Sequence, residues 1–192
     1  IKSKLINYAK VNKRPLVKPF MLVVCKDTEH AKKIEEYIKS NDFENGKYKY
    51  KTIKIESKMS GVETEVNTKL LLEVEKVDNP VEIVIHVNML KEGWDVNNLY
   101  TIVPLRTASS KILREQMVGR GLRLPYGERT GDKEIDSVVL TAHDKFQEIL
   151  EEAQKGDSIF KLGNVIKIEE IEDEKEVFSQ IAIEYQINDE LN

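Results

Sequence analysis

Short apolar runs alternate with amphipathic stretches along most of the chain. Six consecutive apolar residues at positions 20–25 predict a strand that is buried on both faces. The following Asp27 and Thr28 suit a helix N-terminus, because their side-chain oxygens can accept hydrogen bonds from free backbone N–H groups. Apolar residues then recur at the spacing of one helical face, at Ala31, Ile34 and Ile38. The pattern predicts a strand, a turn and a helix.

The same alternation predicts further elements. Strands are expected at residues 48–55, 81–87, 99–103 and 137–141. Three helices are expected: one with an apolar stripe at Val66, Leu70, Val74 and Val77 that ends at Asn79-Pro80, one at about 110–122, and one from Asp144 to Gly156. Buried strands separated by helices are typical of an α/β domain with a mainly parallel sheet and helices on both faces.

The pattern changes after about residue 157. Two more strands are expected at residues 164–168 and 178–187, with the acidic segment 169–176 between them. We therefore predict an α/β domain over residues 1–156. Residues 157–192 form either a small appended β element or the start of a next domain.

The composition favours a globular chain. Of 192 residues, 40% are hydrophobic and 33% charged, and the apolar runs are far shorter than the roughly 20 residues of a membrane span. No signal-peptide pattern is present, so a cytoplasmic location without membrane contact is expected. The single Cys25 allows no internal disulfide, and no Cys/His cluster predicts a metal site. A start at Ile1 rather than Met suggests a piece of a longer protein.

Charge is distributed unevenly along the chain. Residues 1–58 contain 15 Lys and Arg against 7 Asp and Glu, residues 59–168 contain 14 against 18, and residues 169–192 contain 1 against 9. A local basic face can bind nucleic acid even when the whole chain is acidic. Taken alone, however, the basic excess is better explained as a solvated lysine-rich face.

The segment 110–124 contains the first candidate site. In a helix, Gln116, Arg120 and Arg123 would lie within about 60° of one another. Neighbouring like charges repel, and Gly119 and Gly121 weaken a helix unless something approaches closely, so the arrangement predicts contact with an anion. The alternative, favoured for any Arg-x-x-Arg helix on its own, is that the arginines pair with acids of this chain at Glu92, Asp95 or Glu115.

Two more candidates follow predicted strands. The loop after strand 81–87 contains Gly93, which permits a tight backbone, and Asp95, which can orient an arginine or a ribose hydroxyl. After strand 20–25, a helix N-terminus with Lys26 could bind phosphate, although a simply capped helix start explains the pattern equally well. No GxxxxGK[ST] phosphate loop and no Asp-Glu pair for nucleotide magnesium occur in the chain.

Together, these segments resemble a known family. Glu92-Gly93-x-Asp95, followed by Gln116-x-x-Gly119-Arg120-x-x-Arg123, resembles motifs V and VI of superfamily 2 helicases. More narrowly, residues 89–106 and 110–125 resemble the restriction (Res) subunit of type III restriction-modification enzymes, and residues 20–31 are similar to motif IV. The resemblance covers roughly residues 15–155.

The resemblance implies a three-layer RecA-like lobe, the second of two, with a small C-terminal β appendage. ATP and Mg²⁺ would be held mainly by a first lobe that this chain does not contain. Arg120 and Arg123 would be the catalytic residues, reaching the γ-phosphate. The resemblance assigns two further sets: Gln116, Gly119, Glu92, Gly93 and Asp95 at the nucleotide, and Lys26, Thr28, Asn88 and Met89 at the nucleic-acid backbone.

The implied function is that of the second motor lobe of an ATP-dependent DNA translocase or helicase, an ATP hydrolase of a restriction system. Its implied partners are DNA, with RNA possible, the first lobe in the same polypeptide, and a methyltransferase or specificity subunit. Alone, the chain is expected to be inactive. Two alternatives stay open: a lobe of a non-nuclease DNA-repair or RNA helicase, and a non-catalytic module that binds nucleic acid or a partner.

Overall fold

A computed structural model describes residues 1–56, 62–87, 96–105, 123–143, 160–167 and 178–185. The predicted helices at 110–122 and 144–156 lie outside these residues. The elements in chain order are α1 (Lys2–Asn12), β1 (Phe20–Cys25), α2 (Thr28–Lys39), a single 3₁₀ turn (Glu44–Gly46), β2 (Thr52–Glu56), α3 (Val62–Leu72), β3 (Ile83–Val87), β4 (Leu99–Pro104), β5 (Ser137–His143), β6 (Phe160–Lys167) and β7 (Phe178–Tyr185).

The described strands form one sheet in the order β2-β3-β1-β4-β5-β7-β6. Its first five strands are parallel to one another. The last two are antiparallel, with β7 paired to β5 and β6 paired to β7. The mainly parallel sheet predicted from the apolar runs is therefore confirmed, and the expected C-terminal β element extends this same sheet. A domain boundary near residue 157 stays a prediction.

Helix α2 covers one face of the central strands. Its buried Ala31 and Ile38 pack against Val23 of β1 and Ile85 of β3. The helix begins where predicted, because the Asp27 carboxylate accepts a hydrogen bond from the backbone N–H of His30 at 2.9 Å. The predicted strand, turn and helix over residues 20–39 are thus confirmed.

The opposite face of the same strands is also covered. Leu22, Val84 and Ile102 are neighbours in register on β1, β3 and β4, and each is at most 1% exposed. The chain moves outward from β1 to β2 and back to β3, so right-handed connections place α2 and α3 on opposite faces. The architecture is the three-layer α/β RecA-like fold.

Helix α1 joins the start of the chain to the segment before β5. Leu5 is fully buried in a small cluster with Tyr100 of β4 and Ile135. The Tyr8 ring lies 5.4 Å from the Tyr126 ring, centroid to centroid. Arg14 forms an ion pair with Glu128 at the same contact. The basic start of the chain is therefore packed on the domain.

One predicted strand begins too early. Residues 48–51 were expected to start β2 because lysine and tyrosine alternate there, but they form a turn, and β2 begins at Thr52. Backbone hydrogen bonds from Lys49 N to Gly46 O (3.1 Å) and from Lys51 N to Tyr48 O (3.0 Å) hold this turn. The alternation predicted an extended backbone here, but short-range backbone hydrogen bonds hold the segment in a turn.

The predicted end of the helix with the Val66 apolar stripe is also wrong. Helix α3 ends at Leu72 rather than near residue 79, and turns follow it. Val74 is buried as expected, but Val66 and Val77 are 52% and 54% exposed. The Asn79 side-chain amide donates to Leu70 O at 2.8 Å, which satisfies a carbonyl at the helix end.

Within the described residues, no helix combines the length and the apolar character that a membrane span requires.

Candidate functional site

The carboxyl ends of four parallel strands lie at one edge of the sheet, here called the carboxyl edge. Cys25 at the end of β1 is in register with Val87 at the end of β3, and Val87 is in register with Glu56 of β2. On the other side of β1, Leu105 N donates to Val24 O at 2.9 Å just beyond β4. In open parallel sheets, ligands bind beyond this edge.

Both segments that contain the predicted nucleotide residues start from this edge. Residues 88–95 follow Val87 directly, and residues 106–122 follow Leu105 directly. Their strands, β3 and β4, are the two neighbours of β1. Eight of the predicted site residues lie in these segments, outside the described residues: Asn88, Met89, Glu92, Gly93, Asp95, Gln116, Gly119 and Arg120.

The strand order reverses direction between β1 and β4. The chain passes from β1 to β2 on one side, and from β4 to β5 on the other. Connections that diverge from two adjacent strands leave a crevice between them, which is the usual ligand site of such sheets. Lys26 follows β1, and the segment that leads to Arg120 follows β4. The two candidate regions therefore start on either side of this crevice.

Arg123 is the predicted catalytic residue that the structure describes. Its side chain is exposed, and it directly precedes a turn in which Gly127 N donates to Leu124 O at 3.0 Å. Gly127 has a φ of 73°, a backbone conformation that favours glycine. The turn brings Tyr126 against Tyr8 of α1. The segment that follows the predicted arginine pair is thereby held by the first helix of the chain.

The start of α2 is a capped helix N-terminus. Lys26 and Thr28, the predicted nucleic-acid contacts, are both exposed there. The Asp27 carboxylate between them caps the helix through His30 N, and Lys26 N lies 3.4 Å from His30 Nδ1. A carboxylate on these N–H groups favours the simply capped start over a phosphate bound by them. Lys26 and Thr28 stay predictions as contacts made by their side chains.

Cys25 ends β1 at the carboxyl edge and is fully buried. Burial, with a further contribution from the Asp27 charge, raises the pKa of its thiol to about 11. A protonated, buried thiol is a poor nucleophile. The prediction that Cys25 is chemically inert agrees with this environment.

Comparison with known proteins adds an independent observation. The chain is 31% identical, in an alignment of 157 positions that covers 62% of the chain, to the Type III restriction-modification enzyme EcoPI Res subunit of Escherichia phage P1. It is 40% identical over 72 residues, 35% of its length, to the EcoP15I Res subunit of Escherichia coli. A 39-residue segment, 20% of the chain, is 51% identical to the StyLTI Res subunit of Salmonella typhimurium.

The chain resembles type III Res subunits. The resemblance predicted from its motifs is therefore confirmed. This Res-like chain spans only 16%, 7% and 4% of the lengths of these three relatives. The similarity therefore does not by itself assign the activities of the whole relatives to this chain. A comparison with models of protein families finds no match.

One exposed aromatic residue has no role in the sequence-based prediction. Tyr50 is 83% exposed in the turn before β2, between two exposed lysines, Lys47 and Lys49, and the partly exposed Lys51. The signal in the sequence is the alternation of lysine and tyrosine at 47–51, which also suits a strand. Only the turn geometry shows that these side chains are presented to solvent together.

Proposed function

We propose that this chain is the second motor lobe of an ATP-dependent DNA translocase or helicase of the type III restriction kind. Two observations support this proposal: the similarity to Res subunits, and the origin of both motif segments at the same edge of a RecA-like sheet. The second observation carries it, because the two segments can serve one ligand only if they start on the same side of the sheet.

The predicted residue set suits a nucleotide triphosphate. Arg120 and Arg123 supply planar guanidinium groups that match phosphate oxygens, and Gln116 supplies a further donor. Gly93 and Gly119 allow close backbone approach. Bound ATP would supply the phosphoryl group that is transferred to water, and Mg²⁺, held mainly with the first lobe, would neutralise part of its charge.

In this proposal, the chain completes a site that the first lobe begins. Arg120 and Arg123 stabilise the negative charge that develops on the transferring phosphoryl group. Asp95 with Gly93 forms the ribose side of the site and the contact between lobes, and Glu92 belongs to the same nucleotide-binding set. Lys26, Thr28, Asn88 and Met89 contact the nucleic-acid backbone, so that closure around ATP is coupled to movement along DNA. The further partner is a methyltransferase or specificity subunit, as in type III restriction-modification enzymes.

The decisive experiment measures ATP hydrolysis and ATP binding separately in the complete enzyme. Arg120→Ala is expected to lower DNA-stimulated turnover by about 10³-fold or more, because a finger arginine acts in the transition state. ATP binding should change little. The chain alone should hydrolyse essentially no ATP, since it contains no phosphate loop.

Arg129 provides a control, since it is an exposed arginine that follows the predicted pair closely in the sequence. Arg129→Ala should leave turnover unchanged. Near-normal turnover in Arg120→Ala would contradict the assigned role. If both variants bind DNA but the wild type shows no ATP hydrolysis, the alternative of a non-catalytic nucleic-acid-binding module replaces the motor assignment.

A further inference from the structure

The loop between α2 and β2 has an unusual backbone. Residues 43–51, here called the tyrosine–lysine loop, contain three successive positive φ angles: 47° at Glu44, 53° at Asn45 and 74° at Gly46. Two of these residues are not glycine, and such conformations persist only where the surrounding structure holds them. A Cβ at Gly46 would lie 2.7 Å from Asn41 Oδ1. The loop is therefore tightly packed.

Aromatic packing fixes the loop on helix α2. The Tyr37 and Phe43 rings lie 5.6 Å apart at an interplanar angle of 63°, and the Phe43 and Tyr48 rings lie 5.7 Å apart. These rings anchor the middle of the loop to the helix. Tyr50, two residues further on, remains 83% exposed. A strained and anchored loop thus presents one tyrosine to solvent.

Two lysines accompany this tyrosine. Lys49 Nζ lies 5.7 Å from the centre of the Tyr50 ring, and Lys47 Nζ lies 5.0 Å from the centre of the Tyr48 ring. Both lysines are exposed. Lys51, by contrast, forms an ion pair with Glu82 at 2.8 Å. Lys47 and Lys49 are therefore the cations that this loop offers to a ligand in solvent.

We propose that the tyrosine–lysine loop binds single-stranded nucleic acid, with Tyr50 stacked on a base and Lys47 and Lys49 at the flanking phosphates. Stacking on an exposed aromatic ring, combined with basic side chains along the backbone, is how proteins bind single strands without reading their sequence. An acidic peptide would use the lysines but has no base to stack on Tyr50. The proposal shares with the proposed function only the assumption that nucleic acid is a partner.

The position of the loop makes this a second contact. The loop precedes Thr52 and therefore lies at the amino end of β2, whereas Lys26 and Thr28 follow the carboxyl end of β1. Because β1, β2 and β3 are parallel, these two places are at opposite edges of the sheet. A nucleic-acid strand that contacts both places would pass along β2, which is the outermost parallel strand of the sheet.

The test is an affinity measurement on the full-length protein without ATP. A fluorescent single-stranded oligonucleotide is titrated at several salt concentrations. Tyr50→Ala should weaken binding by about 5- to 100-fold, the usual effect of losing one stacked base, and Tyr50→Phe should restore it because the ring is kept. Lys47→Ala with Lys49→Ala should reduce the slope of log K against log salt by about 1.4, as expected for two phosphate contacts on a single strand.

Lys10 and Lys69 provide the control for charge, since both are exposed lysines on other elements, α1 and α3. Replacing both by Ala removes the same charge and should change the salt slope much less. Wild-type affinity in Tyr50→Ala, or equal slopes in the two double variants, would overturn the proposal. Tyr50-dependent binding of a polyglutamate peptide, without Tyr50-dependent binding of the oligonucleotide, would overturn it in favour of an acidic partner. Because no ATP is present, a failed Arg120 test leaves this result unaffected.

Discussion

The two edges of the parallel sheet are built differently. At the amino edge, buried side chains connect segments that are far apart in sequence: the Asn98 amide donates to Lys18 O at 2.8 Å and to Val74 O at 3.0 Å. Glu82 accepts hydrogen bonds from both Lys2 and Lys51 at the same edge. These contacts connect α1 with the starts of β1, β2, β3 and β4. They lie at the edge opposite the one from which the predicted nucleotide-binding segments start.

At the carboxyl edge, the described side-chain hydrogen bonds just beyond β1 stay within the start of α2, while Lys54 of β2 pairs with Glu56 and with Glu35 of α2. Asp27 caps the helix that it precedes, and Lys26 N approaches a side chain of the same helix. The loops that continue from this edge contain the predicted nucleotide residues. We infer that the two edges have different roles. The amino edge stabilises the sheet, and the carboxyl edge is available for loops that bind ligands.

The strongest test of this comparison is Asn98→Ala. Asn98 is 2% exposed, and its loss would leave the buried Val74 carbonyl and the partly buried Lys18 carbonyl without their donor. We expect the free energy of unfolding to fall by about 2–4 kcal/mol, measured by urea denaturation. Asn97 is the control, because its side chain is exposed and its hydrogen bond to Glu75 is made by the backbone N–H, which Asn97→Ala keeps. Equal losses in Asn97→Ala and Asn98→Ala would show that the amino edge is not held by this amide.

A smaller effect is expected for Glu82→Gln, with a defined pH dependence. Although burial raises it, the hydrogen bonds from Lys51 and Lys2 lower the pKa of Glu82 below its ordinary value. A carboxyl group whose pKa is lowered by folding adds stability above its unfolded pKa, about 4.3, and loses that contribution as the pH falls through the folded pKa.

The wild type should therefore be more stable than Glu82→Gln by about 1–2 kcal/mol at pH 7, and this difference should be clearly smaller at pH 3. Urea denaturation at both pH values measures it. Glu134→Gln is the control, since Glu134 pairs with Lys4 at the surface and its side chain is 64% exposed. A difference that stays the same at low pH would indicate that packing, rather than charge, is what Glu82 contributes.

The sequence predicts the interior of this fold better than its edges. The apolar runs of β1 and β3 are recognisable because nearly all of their residues are buried on both faces, whereas one face of β4 is only half-buried. Asp27 marks the start of α2 because its carboxylate suits a helix cap. The hydrogen bonds of the Asn98 and Asn79 side chains could not be predicted, because the folded structure decides which carbonyl groups lie within reach of each amide. Nor could the antiparallel pairing of β7 with β5, since the alternation in a strand does not name its neighbour.

The same limit applies to the candidate site. Motif spacing alone selected Arg120 and Asp95, and the topology adds that their segments start from strands on either side of β1. The tyrosine–lysine loop was missed for a different reason. Its alternation has the period of a strand, whereas the positive φ angles at Glu44 and Asn45 are a property of the folded backbone.

The smallest expected effect concerns the carboxyl edge. Asp27→Ala removes the cap of α2 and should lower the free energy of unfolding by about 1 kcal/mol, whereas Asp27→Asn keeps a capping oxygen and should change it little. Cys25 reports on the same edge, because a buried thiol is labelled by a disulfide reagent only when the sheet opens. Labelling should be about 5-fold faster in Asp27→Ala, the factor that corresponds to about 1 kcal/mol. A much larger acceleration of Cys25 labelling, without a matching loss of stability, would mean that the carboxyl edge opens independently of the amino edge. The two edges would then differ in their dynamics as well as in their contacts.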